Sequence, residues 1–519
     1  MLQGTEFDFA PVAFELDYLI RVPPEYVVPN GPEWAKVNVW KNAGEPVRFQ
    51  WENQSEFNTD INEVFKAGYA DILLPQYVLG YSSGGNEILS LPFFKMRFIQ
   101  FDEYWHALAK QLPYEGRPET RLAYLDTSFS QAILLCNLLF HDAETLRPFR
   151  EEVGIEALRE FRIIIKRSIE IPAEVAAQFD DGSAAVAGVA VAGRAVVGNY
   201  EFNHPALTLD RETGRYTLNL LQLLEASGHS ADNFDPIVTR LQRCATCSYL
   251  DESTDTLYLD YYVNEATKQA FSENFDFDIN KSPITLFQAL QVLLTLNLYT
   301  VSDQLKNDLY ESDSLYVGET VPTLASDQRI MRIKHFWLQK AEVEQPVLLK
   351  SLSDGEHQLL HSLGLSLLFR NTNSLFLLDE PETHFNPDWR SNFVTRLHEC
   401  FHGAEDIHEM LVTTHTPFLI SDSKPEKVLV FKKEDGKVTV KNPDYYTLGA
   451  SINKITMNTF NKRETIGGHA QGILDELRKR FERGEDKELL LAEIDRKLGD
   501  SVEKILLIKT ILDSMEARG

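Results

Sequence analysis

Apolar and polar residues alternate over residues 7–22 (FDFAPVAFELDYLIRV), and the same two-residue period returns in VNVWKN (37–42) and VRFQWE (47–52). That period belongs to strands with one covered face, so residues 1 to about 105 read as an antiparallel sheet followed by a core strand in DILLPQYVLGY (71–81). From 126 to 166 the spacing of apolar residues lengthens to three and four. SFSQAILLCNLLF (128–140) and GIEALREFRIIIKRS (154–168) therefore predict helices. Residues 175–202 are small and glycine-rich, which favours a hairpin or loop-borne strand pair. Helical spacing resumes over 218–298, including SPITLFQALQVLLTLNLYTV, and is broken by a strand-like run at TLYLDYYV. Residues 126–310 thus read as a mainly α-helical insertion. After RIMRIKHFWLQKA (329–341), KKEDGKVTV gives a hairpin signal, and ILDELRKRFE and EKILLIKTIL predict a tail of amphipathic helices over 465–518.

Composition narrows the function classes. The chain has 519 residues, more than one core usually serves, so several modules are expected. No run approaches the 18 or more apolar residues of a membrane span, and the acidic, mixed N-terminus lacks the form of a signal peptide. We therefore expect a cytoplasmic protein with no membrane partner. The formal charge of −27 repels a nucleic-acid backbone on average, so any DNA or RNA contact has to be local or made through another protein. Four cysteines fit a reducing compartment.

The candidate chemistry gathers between Ser351 and His415. In LFLLDEPETHFNPDWR (375–390) an apolar strand delivers Asp379 and Glu380 to the carboxyl edge of a sheet, where open α/β folds bind ligands. Adjacent carboxylates there suit two tasks: Asp379 to hold Mg²⁺, and Glu380 to orient or deprotonate a water. Upstream, Ser353, Asp354, Gly355 and Glu356 open a helix in SLSDGEHQLLHSLGLSLLF. Free N–H groups at a helix start, a hydroxyl and a glycine make a phosphate site; Ser353 and Glu356 also have the spacing of a capping box, and both readings stand together. Downstream, the strand of MLVTTHTPF ends in His415, placed to hydrogen-bond a terminal phosphate or its attacking water.

In this order the three segments resemble the signature loop, the extended Walker B with D-loop, and the H-loop of ABC-class ATPases. The resemblance implies that Ser353 and Gly355 contact the γ-phosphate of ATP held mainly by a second subunit. It also implies that Glu380 is the catalytic base, and that Asn386 and Pro387 lie in a D-loop at the dimer contact. The DEPETHFNP form is similar to the non-transporter branch that includes OLD-type, SMC-type and antiphage ATPases. More narrowly, GYSSGGNEILSLPF (80–93) and YYTLGASINKITMNTFNKRETIGGHAQ (445–471) resemble restriction-system-associated and Septu-type defence ATPases. The GYSSGGNE loop is a candidate Q-loop through Ser82, Ser83 or Asn86, with a plain glycine-rich turn as the alternative.

One required part has no counterpart. A P-loop ATPase cradles phosphates with GxxxxGK[ST], the Walker A loop, yet the sole Gly-Lys pair is Gly436-Lys437, in a hydrophilic turn. Two readings follow: an N-terminal segment bearing that loop is missing from the chain, which the intact Glu380 and His415 favour, or the protein lacks the loop altogether; on either we expect weak or absent ATP hydrolysis from the chain as it stands. Elsewhere, Cys244 and Cys247 form a lone CxxC with His229 as the nearest further ligand, so ordinary thiols compete with a metal site. Arg147, Arg150, Arg159, Arg162, Lys166 and Arg167 make a basic helical face, solvated and salt-bridged or else offered to nucleic acid or a partner.

The expectation is an α/β P-loop NTPase of the ABC-ATPase head type, with a mixed sheet plus an antiparallel β subdomain, a large α-rich insertion and a helical C-terminal tail. Its parts are the β-rich half of the head (1–125), the insertion (126–325), the lobe with signature, Walker B, D-loop and H-loop (326–440), and a partner-docking region (441–519). The implied cofactors are ATP and Mg²⁺. The implied activity is that of an ATPase subunit of a bacterial defence system, pairing head-to-tail with itself and regulating a separate effector such as a nuclease. A non-hydrolysing scaffold and an SMC-type DNA-repair ATPase are the alternatives.

Overall fold

The computed structural model describes residues 13–58, 72–84, 87–110, 121–179, 204–226, 236–275, 283–301, 304–307, 324–404, 408–462 and 466–516. It divides into two compact units, one of residues 1–389 and 395–414 and one of 390–394 and 415–519.

The first unit opens on an antiparallel sheet of β1 (Phe14–Arg21), β2 (Trp34–Lys41) and β3 (Arg48–Trp51). Its register sets Tyr18 against Val37 and Ile20 against Ala35, so the alternation seen in the sequence puts Ile20, Val37 and Trp51 into one core. Next come β4 (Tyr77–Ser82) and a 24-residue helix, Glu87–Lys110. That helix corrects the strand-rich expectation for residues up to about 105. Ser90, Phe93, Arg97, Phe101 and Trp105 are among its buried positions, a spacing of three and four that no strand could gather on one side.

After β5 (Leu122–Tyr124) and the helix Ser130–Phe140, the helix expected over 154–168 is not formed. A short helix, Arg147–Val153, stops at Gly154, whose φ of +75° is a left-handed cap; β6 (Ile155–Lys166) then runs for 12 residues. Two facts decide the outcome. The run Ile163-Ile164-Ile165 is β-branched, and β6 is an inner strand, paired on one side with β11 (Thr256–Tyr262) and on the other with β12 (Met331–Lys340). The basic residues are accordingly split, Arg147 and Arg150 on the helix and Arg159, Arg162 and Lys166 on the strand.

The sheet is completed by β10 (Cys247–Asp251) at one edge and β13 (Val347–Leu348) at the other. A smaller antiparallel sheet joins β7 (Ser168–Ile171), β9 (Tyr216–Asn219) and β8 (Leu207–Leu209). The region read as α-rich is therefore mixed, although its helices at Ile237–Cys244, Glu265–Phe275 and Ile284–Thr295 and the strand at 256–262 fall where expected. Of the glycine-rich stretch, residues 175–179 are helical, and 180–202 lie outside the described residues.

The site rests on a parallel sheet of order β15-β14-β4-β5, in which β14 (Ser374–Asp379) lies between β15 (His408–Thr413) and β4. The helix Asp354–Leu368 packs against Ser130–Phe140. Their crossing is close at Gly364, where a Cβ would meet Ile133 Cγ2 at 3.0 Å, and Asn137 Nδ2 bonds the Gly364 carbonyl at 2.9 Å.

The second unit holds the hairpin of β16 (Val430–Glu434) and β17 (Lys437–Lys441) at the predicted turn, with a small core of Ile420, Val428 and Ile455. It also holds three tail helices, Gly468–Glu482, Lys487–Lys497 and Val502–Glu516. Leu474, Leu477, Leu490, Ile494, Leu507 and Ile511 are buried together as their common core. Among the described residues no helix is long and apolar enough to cross a membrane.

Candidate functional site

Asp379 is the last residue of β14, and the parallel register places Ser82 on one side of it and Thr413 on the other. Both hydroxyls donate to its carboxylate, Ser82 Oγ to Oδ2 at 3.0 Å and Thr413 Oγ1 to Oδ1 at 2.6 Å. Three strand ends thus fix one carboxylate at the carboxyl edge of a parallel sheet. The donor set is all oxygen, with a single carboxylate and two hydroxyls. That composition fits Mg²⁺, which takes one or two carboxylates and completes its shell with waters and phosphate.

Glu380 leaves the strand with φ of +46°, in the left-handed region that non-glycine residues seldom enter. The turn is held from both sides. The Glu380 amide donates to the Thr413 carbonyl at 3.1 Å, while Thr383 Oγ1 donates to the Glu380 carbonyl at 3.0 Å and approaches its Oε2 at 3.4 Å. Ser83 Oγ donates in turn to Thr383 Oγ1 at 3.0 Å. Backbone strain held in place by neighbours is a feature of working sites, because it fixes where a side chain is aimed. Asn386 caps the helix Pro387–Cys400 by accepting from the Trp389 amide at 2.8 Å, with Pro387 at the first helical position.

The helix start at Ser353 is a full capping box: Ser353 Oγ accepts from the Glu356 amide, and Glu356 Oε2 accepts from the Ser353 amide at 2.7 Å. Lys340 Nζ reaches Glu356 Oε1 at 2.6 Å. Burial opposes ionisation of Glu356, but the bonds from Lys340 and Ser353 outweigh it and hold this carboxyl below its ordinary value. The Glu356 side chain is thus committed to building the helix start, while Ser353 and Asp354 are exposed. Gly355 is buried, and a Cβ there would stand 2.7 Å from the His384 carbonyl oxygen. The close approach that requires this glycine is to the turn after Glu380 in the same chain, and Gln358 Oε1 ties the same turn by accepting from the His384 amide at 2.8 Å.

The structure therefore brings Asp379, Glu380, Ser82 and Ser83 to one sheet edge and packs Gly355 against the segment that follows them. His415 lies two residues beyond β15 and is exposed; it belongs to the second unit. Asn86 and His229 lie outside the described residues. Cys244 is turned inward, its thiol donating to the Ala270 carbonyl and raised to about 12 by burial, whereas Cys247 starts β10 and is exposed. Among the described residues no cluster of His, Cys, Asp and Glu is arranged to hold a metal ion by itself.

Four contributors went unnoticed in the sequence: Thr413, Thr383, Gln358 and Glu382. Glu382 is 3% exposed and accepts from the Thr414 hydroxyl. Thr413 was findable, since two parallel strands ending in DE and TTH bring those ends level. Gln358 was signalled by a lone amide within the apolar face of its helix. Glu382 gave no signal.

Residues 209–421 match the family model described as "AAA domain, putative AbiEii toxin, Type IV TA system". The match supports an AAA/ABC-type ATPase-like domain over this part of the chain. The match takes in β14, β15 and the Asp354–Leu368 helix. No curated protein matches the chain at a significant level.

Proposed function

We propose that this chain is an ABC-type ATPase subunit of a bacterial defence system, pairing head-to-tail around ATP and controlling a separate effector such as a nuclease. The observation that carries this reading is the Asp379–Glu380 step: a carboxylate fixed by two hydroxyls, followed by one held at positive φ. In this reading Asp379, with Ser82, holds Mg²⁺, which supplies charge neutralisation at the phosphates. Glu380 orients the attacking water and takes its proton. Ser353, Asp354 and Gly355 present a helix start to the γ-phosphate bound by the opposite subunit, and Asn386 and Pro387 lie at the pairing surface. His415 reports the terminal phosphate. The family description names a toxin of a toxin–antitoxin system, which supports a role in abortive infection.

The 519 residues contain no GxxxxGK[ST] string, so by themselves they are expected to turn ATP over weakly or not at all. The test is ATP hydrolysis and light-scattering mass of the protein, with and without ATP–Mg²⁺, beside Glu380→Gln. We expect the substitution to lower turnover by about 100-fold or more and to trap an ATP-dependent pair. Unchanged turnover in Glu380→Gln overturns the assignment of the base. Pairing indifferent to ATP points instead to the second reading, a non-hydrolysing scaffold, which the missing phosphate loop favours.

A further inference from the structure

The outward face of the β10-β11-β6-β12 sheet has a composition at odds with the rest of this acidic chain. The register sets Tyr249 beside Tyr258, and Tyr258 in line with Ile164 and Arg332. One row on, Cys247, Asp260, Arg162 and Lys334 are in line. Tyr262 follows, opposite Glu160. Tyr249 is 62% exposed and Tyr262 54%, values that ordinary core-building tyrosines do not have. Tyr249 and Tyr258 rings are 6.1 Å apart, and the Arg162 guanidinium lies over the Tyr258 ring at 5.7 Å.

Asp260 is consumed by Arg162, which grips it through two bonds of 2.6 and 2.9 Å, and Glu160 is the other carboxylate in these rows. With Arg162 paired to Asp260, the remaining cations are Arg332, intermediate in exposure and donating to the Ser326 carbonyl, and Lys334, exposed; they stand against Glu160 and, one row further along β10, Asp251. The strand is also distorted here. His335 has φ of +51°, and the register slips between Lys334 and Trp337, a bulge that leaves Lys334 and His335 both exposed on successive positions. A chain carrying −27 overall gains nothing in solubility from a face of open phenols and cations.

We propose that this sheet face binds single-stranded nucleic acid, with Tyr249 and Tyr262 stacking on unpaired bases and Lys334 and Arg332 meeting the phosphates. An open sheet with phenol rings on neighbouring strands suits bases already free of a duplex, because stacking needs an exposed π-face, and it is indifferent to sequence. The backbone contacts are too few to hold a duplex by charge alone against the field of the whole chain. Binding here requires no ATP, so it is separable from the nucleotide chemistry proposed above.

The test is fluorescence anisotropy of the full chain without ATP, using a labelled 20-nucleotide RNA, the DNA of the same sequence, and the DNA duplex, at low and moderate salt. One or both single strands are expected to bind more tightly than the duplex. Tyr249→Ala with Tyr262→Ala is expected to weaken binding by roughly 10-fold or more, and Tyr249→Phe to retain it. Lys334→Gln is expected to reduce the slope of log affinity against log salt by about 0.7. Cys247 is the exposed one of the four cysteines, so bound strand should slow its alkylation by a maleimide. Duplex preferred over single strand, a double alanine variant that binds like the parent, or a Cys247 indifferent to the strand overturns the proposal. So does a face that captures a protein while binding no oligonucleotide.

Discussion

Thr413 donates its hydroxyl to Asp379 Oδ1 at 2.6 Å, joining the ends of two parallel strands through side chains as well as backbone. The same hydroxyl stands 3.3 Å from the Glu380 amide. Thr413→Val keeps the shape and removes the donor, taking this charge-assisted bond from the carboxylate. The expected loss is about 1–3 kcal/mol in urea unfolding, with Thr413→Ser restoring most of it. An unchanged midpoint for Thr413→Val would show that the bond is replaced by water at no cost.

Glu380 makes a different prediction, because its backbone is the unfavourable part. A residue held at φ of +46° costs about 1 kcal/mol or more unless it is glycine. Glu380→Gly is therefore expected to leave the protein at least as stable as the parent by thermal unfolding, while removing the carboxylate proposed as the base. Glu380→Ala, which keeps the strain and loses the carboxylate, should be less stable than the glycine variant. The reverse order would mean that the turn is not strained.

Much of this site was legible because its parts are local. The Ser353–Glu356 capping box, the strand ending at Asp379 and the hairpin at Gly436 each depend on residues a few positions apart, so spacing alone exposes them. What failed depends on pairing across the chain. Residues 154–168 carry apolar spacing that a helix could use, and only partners about 100 and 170 residues away in β11 and β12 turn that segment into an inner strand. The Thr413–Asp379 bond and the Gly355–His384 approach are likewise invisible until the strands are set side by side. The helix Glu87–Lys110 is legible in the three- and four-residue spacing of its apolar residues, which begins directly after the strand Tyr77–Ser82.

Gly355 and Gly364 lie on the same helix and should respond in opposite ways to alanine. Replacing glycine in a helix gains about 1 kcal/mol of propensity in either case. At Gly364 the added methyl meets Ile133 Cγ2, the branch methyl of a buried side chain, at 3.0 Å, a tight contact that the helix pair relieves by giving a few tenths of an ångström. At Gly355 it meets the His384 backbone oxygen at 2.7 Å, within the turn that fixes Glu380. Gly364→Ala is expected within about 1 kcal/mol of the parent, whereas Gly355→Ala should lose about 1–3 kcal/mol. Its effect on ATP-dependent pairing should exceed its effect on folding, and equal stability of the two variants would refute the close approach.

His361 gives the fold an acid limit. It is buried on the Asp354–Leu368 helix, stacked on Tyr81 at 4.4 Å, with Nε2 2.9 Å from the Leu125 carbonyl and Nδ1 2.7 Å from Ser130 Oγ. A carbonyl only accepts, so the proton of the neutral ring sits on Nε2 and Ser130 donates to Nδ1. A second proton would turn the Ser130 hydroxyl from donor to acceptor and bury a charge, and burial accordingly lowers this histidine to about 4. The unfolded chain, with an ordinary value near 6.5, binds the proton first, so stability is complete above about pH 6.5 and falls as pH drops toward 4. The loss from this group alone is about 1 kcal/mol at pH 5.5 and about 3 kcal/mol at pH 4. His141 is also lowered to about 4 by burial and adds to the same slope, so removing one histidine should flatten the profile in part. His361→Gln, which keeps a donor toward Leu125, is expected to lose roughly half of the difference in urea stability between pH 7.5 and 5.5. A variant with the parent's full slope would place the acid sensitivity elsewhere.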